Sequence, residues 1–411
     1  MKLPQAAWQR REGMKPLLAA LGARVGETRY VGGCVRDTLL GLPVSDVDLA
    51  TRLTPQEVME RLGKARIKTV PTGLAHGTVT AVVAGKPVEV TTLRRDVSTD
   101  GRRATIAYTD DWREDAARRD FTINALLADP VTREVLDYFG GEADLAERRV
   151  RFIGDPLTRI AEDHLRILRF FRFFARFGTG EPDPAAIEAC AARANDLMAL
   201  SRERIADELT KLLALPEPVA AVRLMVGRGI LKPVVPEIGP DGVERLERLV
   251  RREADAGIAP HPLRRLAALL PADPEQASAV AARLRLSNRS AKRLAAAAGR
   301  TADDARPPDV LAYAIGAEEA VDRILLGCGD PGATAALRGW QRPRLRLGGG
   351  ELIAMGLAPG PVVARTLQAV EREWAEAGFP PEAAAQRAIA RRQVDEALGG
   401  GPGPAGPSAS R

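Results

Sequence analysis

Residues 30–50 read YVGGCVRDTLLGLPVSDVDLA, and the spacing of two glycines and two aspartates in this stretch decides the fold class. Tyr30 and Val31 end an extended run, after which Gly32-Gly33 permits a tight turn that brings backbone amides close to an anion. A short helix is expected from Val35 to Leu40, stopped by Gly41-Leu42-Pro43. Asp46 to Ala50 reads as a strand. With a period of two, Asp46 and Asp48 then face one side with Cα atoms about 7 Å apart. Carboxylates so placed can share metal ions roughly 3.5–4 Å apart. Alone, a glycine pair is a turn and an Asp-x-Asp is a solvated strand. Together, around one short helix, they assemble the parts of nucleotidyl transfer.

Two further motifs lie downstream. Residues 117–126, ARRDFTINAL, offer Arg118 and Arg119, whose planar forks suit phosphate oxygens. Asp120 beside them can accept a hydrogen bond from a ribose 2′-hydroxyl, which would discriminate ribose. Residues 162–176, EDHLRILRFFRFFAR, read as a helix in which Asp163 and Arg166, three apart, are neighbours on one face, with Arg169 and Arg172 continuing the stripe. Cytosine and adenine both present an amino donor followed by a ring-nitrogen acceptor, whereas guanine and uracil present the reverse. A carboxylate beside a guanidinium therefore matches C and A and meets G and U with like groups facing each other. The alternative for each motif is an ordinary surface ion-pair cluster.

The order GG-C-VRD, then D-V-D, then RRDFTINA, then EDxxR resembles the bacterial tRNA CCA-adding enzyme and poly(A) polymerase family, within the DNA polymerase β-type nucleotidyltransferase superfamily. The resemblance implies template-independent addition of C, C and A to the 3′ end of tRNA from CTP and ATP, with two Mg²⁺ held by Asp46 and Asp48. It implies that Gly32, Gly33, Arg36 and Arg119 position the triphosphate, that Asn124 supports the site, and that Asp163 and Arg166 choose the base, with Arg169 and Arg172 beside them. Glu89 in the VEVTT run stands where the superfamily often holds a third carboxylate. His76, in VPTGLAHGTV, stays open between a substrate contact and a packing or backbone hydrogen-bond role. Residues 94–103, RRDVSTDGRR, match the position of a flexible loop needed for adenosine addition, and read as a mobile loop beside the site. A poly(A) polymerase, an enzyme adding only CC or only A, and a catalytically inactive RNA-binding protein are the alternatives.

At 411 residues, two to four domains are expected. The 45% hydrophobic and 28% charged fractions are those of a soluble globular chain, and no apolar run reaches bilayer length. The polar, basic start lacks an apolar secretory core, so a cytoplasmic location with no membrane is expected. Cys34, Cys190 and Cys328 are scattered without metal-ligand spacing, which fits reduced thiols. A net charge of +6 favours an anionic partner, here tRNA. With His76, His164 and His261 the only histidines, a histidine-rich metal centre is excluded.

Short β-branched runs at 29–31, 47–50, 78–83, 87–92 and 105–108 predict an α/β (α+β) head with a mixed sheet of about five strands. All-α neck, body and tail domains follow. The expected boundaries are 1–145 for the head, 146–220 for a neck that reads the base, 221–300 for the body, 301–398 for a tRNA-binding tail, and 399–411 for a disordered end. Five of the nine phenylalanines fall between Phe170 and Phe177 and read as the neck's core. The basic run 288–300 suits either RNA phosphates or a solvated face, and the turn at Gly356–Pro361 opens a helix that can grip a phosphate. Oligomeric state stays open between monomer and homodimer.

Overall fold

The structure, a computed structural model, describes residues 1–99, 104–327 and 329–399. The chain divides into two units, the first built from Met1–Leu246, Pro260–Pro262 and Val280–Ser287, the second from Glu247–Ala259, Leu263–Ala279 and Asn288–Arg411.

In the first unit, α1 (Met14–Ala20) precedes β1 (Thr28–Val31), α2 (Gly33–Leu39), β2 (Asp48–Thr51) and α3 (Pro55–Lys64). Then come β3 (Thr69–Gly73), β4 (Thr78–Val83), β5 (Lys86–Thr92), β6 (Arg94–Thr99) and β7 (Ala104–Tyr108), followed by α4 (Trp112–Ala117), β8 (Leu127–Ala128) and β9 (Val135–Leu136). Seven strands form one mixed sheet in the order β3-β4-β5-β2-β1-β8-β9, and β2–β5 is its parallel pair. The expected count of about five is too low for identifiable reasons. β8 and β9 have two residues each, too few for alternation to show. β3 carries Pro71 and is exposed through its middle, so it lacks an apolar face. Where alternation is strong the elements form as read: Val79, Ala81 and Val83 on β4, and Val88 and Val90 on β5, are buried. Ala84 and Gly85 join those strands with φ of 49° and 73°, the left-handed pair that matches strand twist in a two-residue hairpin.

β6 and β7 pair as a separate hairpin. The loop expected at 94–103 therefore begins as a strand, and residues 100–103 of it lie outside the described residues.

Beyond β9 the described residues form helices. α5 (Gly141–Ala146), α6 (Pro156–Glu162), α7 (Arg166–Phe177), α8 (Pro184–Ala192), α9 (Arg202–Leu213) and α10 (Val219–Gly227) make up most of the first unit's helical part. Phe170, Phe171, Phe173, Phe174 and Phe177 are buried there, and Phe170 and Phe173 reach Phe121 of the head with centroid distances of 6.3 and 5.0 Å. The phenylalanine run is thus the core that fastens α7 to the head.

α11 (Pro240–Asp255), α12 (Pro262–Leu269), α13 (Pro274–Arg283), α14 (Asn288–Ala298), α15 (Pro308–Ile315), α16 (Ala317–Leu326), α17 (Gly349–Ala354), α18 (Pro361–Glu376) and α19 (Ala383–Gly399) follow along the chain. The second unit is pinned by a buried ionic cluster. Arg264 donates to Glu253 (2.8 Å) and Asp322 (3.2 Å), and Arg265 donates to the other oxygen of Glu253 (2.8 Å). Arg293 completes it, donating to Asp322 at 2.7 Å and Glu318 at 2.8 Å. Within the basic run 288–300, Arg293 and Arg300, whose guanidinium donates to the Ala267 and Leu270 carbonyls, are engaged inside the protein, while Arg289 and Lys292 are exposed. Removing one partner of a buried pair costs about 3–5 kcal/mol. Glu253→Gln, which leaves Arg264 and Arg265 short of their carboxylate, is accordingly expected to destabilise the fold by that order in urea unfolding. A change under about 1 kcal/mol would show that the cluster is not a support.

Candidate functional site

The sequence motifs converge on a cavity of ≈ 620 Å³ in the first unit. Its floor is made where β1 ends and β2 begins. Gly32, the N-cap of α2, has φ 69° and ψ −124°. A Cβ there would lie 3.3 Å from Arg119 Nη1 and 3.5 Å from the Asn124 carbonyl, a tight but yielding fit, so it is the left-handed conformation that requires glycine. The Gly32 N–H donates to the Leu126 carbonyl at 3.0 Å, so of the glycine pair's amides this one is engaged within the protein.

β2 begins at Asp48, so Asp46 precedes the strand that was expected to carry it. Asp46 is exposed and accepts a hydrogen bond from Ser45 Oγ at 2.8 Å. Extended pairing nevertheless continues below Asp48, since the Glu89 N–H donates to the Val47 carbonyl at 3.1 Å. Cys34 supports this floor from beneath, with Sγ 3.4 Å from the Val31 carbonyl and 3.7 Å from that of Asp48. Burial and then the charge of Glu89, with a smaller push from Asp46, raise the Asp48 carboxyl to about 6 against the pull of Arg119. Glu89 lies opposite Asp48 in the β2–β5 register but is not part of the cavity lining. No group of three or more His, Cys, Asp or Glu side chains suited to one metal ion occurs among the described residues. Asp46 and Asp48 are the carboxylates the cavity offers to a cation, with Asp120 and Asp163 farther along its walls.

One wall is a chain of paired side chains. Arg36, buried, donates to Asp37 (2.8 Å) and to Asn124 Oδ1, and its guanidinium lies 4.2 Å from the Phe177 ring centroid. Asn124 Nδ2 donates to Asp120 Oδ1 at 2.9 Å, which also accepts from the Phe121 N–H, and Arg169 Nε donates to Asp120 Oδ2 at 2.8 Å. Burial opposes ionisation of Asp120. The Arg169 charge and these donors outweigh it and hold the carboxyl below its ordinary value. With both oxygens engaged, Asp120 is the keystone of the wall, where sequence alone suggested a ribose contact. Arg172 is turned away from the cavity, bound to Glu208 at 2.6 Å. His76 is exposed, outside the lining, and its carbonyl accepts from Arg94.

The opposite wall differs most from expectation. Asp163 and Arg166 do not share one helix: α6 ends at Glu162, Asp163 is extended (φ −153°, ψ 106°), and α7 starts at Arg166. The break sends the two side chains to different partners. Asp163 accepts from Arg204 Nη2 at 2.8 Å and from the Leu165 N–H at 3.1 Å. Arg166 donates to the Arg159 carbonyl (2.9 Å), the Arg118 carbonyl (3.0 Å) and Glu162. Both still line the cavity. Arg204, on α9, lines it too, a residue that the sequence motifs do not single out. The only sequence cue was a basic residue on a helix following the motif. Leu165 and Phe173 are the apolar residues of the lining, Phe173 lying beneath the guanidiniums of Arg36 and Arg169.

Residues 28–151 match the family described as "Poly A polymerase head domain", and residues 181–241 that described as "Probable RNA and SrmB- binding site of polymerase A". CCA tRNA nucleotidyltransferase 1, mitochondrial, of Mus musculus is 33% identical over 394 residues, covering 90% of this chain and 88% of the mouse protein. The CCA-adding enzyme of Limosilactobacillus fermentum is 32% identical over 387 residues, covering 89% and 92%. Among solved structures, the crystal structure of Bacillus stearothermophilus CCA-adding enzyme in complex with CTP superposes with a TM-score of 0.74 at 26% identity, over 94% of this chain and 98% of that one.

Proposed function

The chain belongs to the family of CCA-adding tRNA nucleotidyltransferases, and from that premise we propose that it adds C, C and A to the 3′ end of tRNA from CTP and ATP, releasing pyrophosphate. The observation that carries the reading is that Asp163 and Arg166, matched to the shared edge of C and A, line the same cavity as Asp46, Asp48 and Arg119. Arg119, beside Gly32 and the Asp48 carboxylate, would draw in the triphosphate. The paired wall from Arg36 to Arg169 would hold the sugar end rigid, and Asp163 would accept from the amino group of either base. The cation would be Mg²⁺, held by Asp46 and Asp48. Two hard oxygen ligands beside a site for phosphates fit its habit of binding through one or two carboxylates plus phosphates and water. When bound, it would supply Lewis-acid charge at the attacking and leaving oxygens.

No described helix is long and apolar enough to cross a membrane. The cytoplasm suits the buried free thiols Cys34 and Cys190. Within the two units, 1–145 as head, 146–220 as neck, 221–300 as body and 301–398 as tail is the division of labour this reading entails.

Because Asp48 keeps its proton up to about pH 6 in the absence of a cation, protons and Mg²⁺ compete for it. Affinity for Mg²⁺ should weaken roughly tenfold per pH unit below 6 and level off above, with proton release on binding. Its folded value is raised above the unfolded one. The metal-free fold is therefore less stable above pH 6 than below it through this group, and Mg²⁺ reverses that sign. Calorimetric titration with Mg²⁺ at pH 5, 6 and 8 checks this; pH-independent affinity would contradict the metal assignment. The activity itself is tested on a tRNA transcript lacking CCA. Two residues added from CTP alone, then one from ATP and arrest, is the expected product pattern, while an unlimited A tail would make the protein a poly(A) polymerase.

A further inference from the structure

Asp115 is not in the cavity lining, yet two lining arginines and the root of the β6–β7 hairpin end on its carboxylate. It sits on α4, buried to 1% exposure. Oδ1 accepts from Arg118 Nε at 2.8 Å and from the Arg94 backbone N–H at 3.3 Å, and Oδ2 accepts from Arg119 Nη2 at 3.2 Å. Each donor leads somewhere different. Arg119 leads to the floor, where its other terminal nitrogen approaches Gly32. Arg118 leads to the base end, because its carbonyl accepts from Arg166 Nη2 at 3.0 Å. Arg94 leads to the β6–β7 hairpin, of which it is the first residue, and its guanidinium donates to the His76 carbonyl. The hairpin's other end is fastened beside it, the Thr109 N–H donating to the Leu93 carbonyl at 3.0 Å and Thr109 Oγ1 to Glu114 of α4. Burial works against the charge of Asp115, but the two guanidiniums outweigh it and the carboxyl stays below its ordinary range.

We propose that Asp115 is a positioning residue for nucleotide selection, tying the root of the β6–β7 hairpin to both the triphosphate arginine Arg119 and, through Arg118, the base-reading arginine Arg166. The proposal rests on the roles given to Arg119 and Arg166 above. Its physical content is that one carboxylate holds Arg119 directly and Arg166 through Arg118, two cationic groups that both line the cavity. A change at the hairpin root that moves Asp115 must therefore shift triphosphate binding and base choice together. Neutralising it puts a donor against one of the arginines, since an amide offers a single acceptor oxygen in place of two.

The test uses the full-length enzyme, a tRNA transcript lacking CCA, and steady-state kinetics with CTP and with UTP. For Asp115→Asn the expected result is a KM for CTP raised about tenfold or more, together with a fall of about tenfold or more in the ratio of kcat/KM for CTP over UTP. That ratio does not depend on how much of the enzyme is folded, so a merely structural role would not move it. Asp115→Glu keeps the charge but lengthens the side chain, and should alter the ratio to a lesser degree; it serves also if the asparagine variant does not fold. Arg119→Ala separates the two levels of argument. If it leaves the KM for CTP unchanged, the reading of the cavity itself is wrong. If it raises that KM while the folded Asp115 variants keep the parental ratio within about twofold, the cavity reading stands and the role given to Asp115 is overturned.

Discussion

Nucleotide incorporation by Asp48→Asn is expected to fall by roughly three powers of ten or more, with tRNA binding nearly unchanged. Lewis-acid stabilisation by a bound cation is worth several kcal/mol, and each ~1.4 kcal/mol is a factor of ten in rate. Asp48 is the natural focus of that loss. Of the floor carboxylates it is the more buried, and burial together with Glu89 and Asp46 leaves it in surplus negative charge that only Arg119 offsets. The amide keeps the shape of β2 and the hydrogen bonds around Cys34, so the fold should survive. Binding of tRNA is spared because removing a negative charge beside an anionic 3′ end does not weaken attraction. Gel-shift and single-turnover incorporation, run side by side with Mg²⁺, decide it. More than a small fraction of parental rate would show that the cation does not depend on Asp48.

The floor of the site was legible because it is local. Gly32, Asp46 and Asp48 lie within one short stretch, and glycine's freedom acts over a few residues, although strand alternation did not hold for Asp46, which precedes β2. The phenylalanine run was legible as core for the same reason. What sequence missed required knowledge of distant partners. Asp120 reads as a free carboxylate until Arg169, 49 positions away, is seen to occupy it. The break between Glu162 and Arg166 is invisible to periodicity, because two short helices in near register show the same spacing as one. Arg204 entered the cavity only through the packing of α9. β8 and β9 were lost to brevity, their place in the sheet being set by pairing with β1 and each other.

The exchange of Asp163 for Arg together with Arg166 for Asp should change which bases are accepted, and the structure says how far. By donor and acceptor order alone the exchanged pair matches G and U. Each good bidentate base contact is worth about 1–3 kcal/mol of discrimination, so CTP and ATP use should drop by one to several powers of ten. A carboxylate at position 166, however, would face the Arg118 and Arg159 carbonyls and Glu162, which now receive the donors of Arg166. The gain of GTP and UTP use is therefore expected to be small in the double variant and to grow when Glu162→Gln removes the facing charge. Rates with each of the four nucleotides, in variants whose circular dichroism and melting match the parent, measure both effects. A folded exchange variant that still prefers CTP would move base reading away from this pair.

In the proposed mechanism one pair of side chains in one cavity reads both cytosine and adenine in place of a nucleic-acid template. It is tested most directly by measuring nucleotide selectivity of Asp163→Ala at two separate steps, on tRNA awaiting its first C and on tRNA already carrying CC. Loss of selectivity for CTP over UTP at the first step and for ATP over GTP at the second, by factors within about threefold of each other, is the predicted result. Loss at one step with the other intact would contradict it.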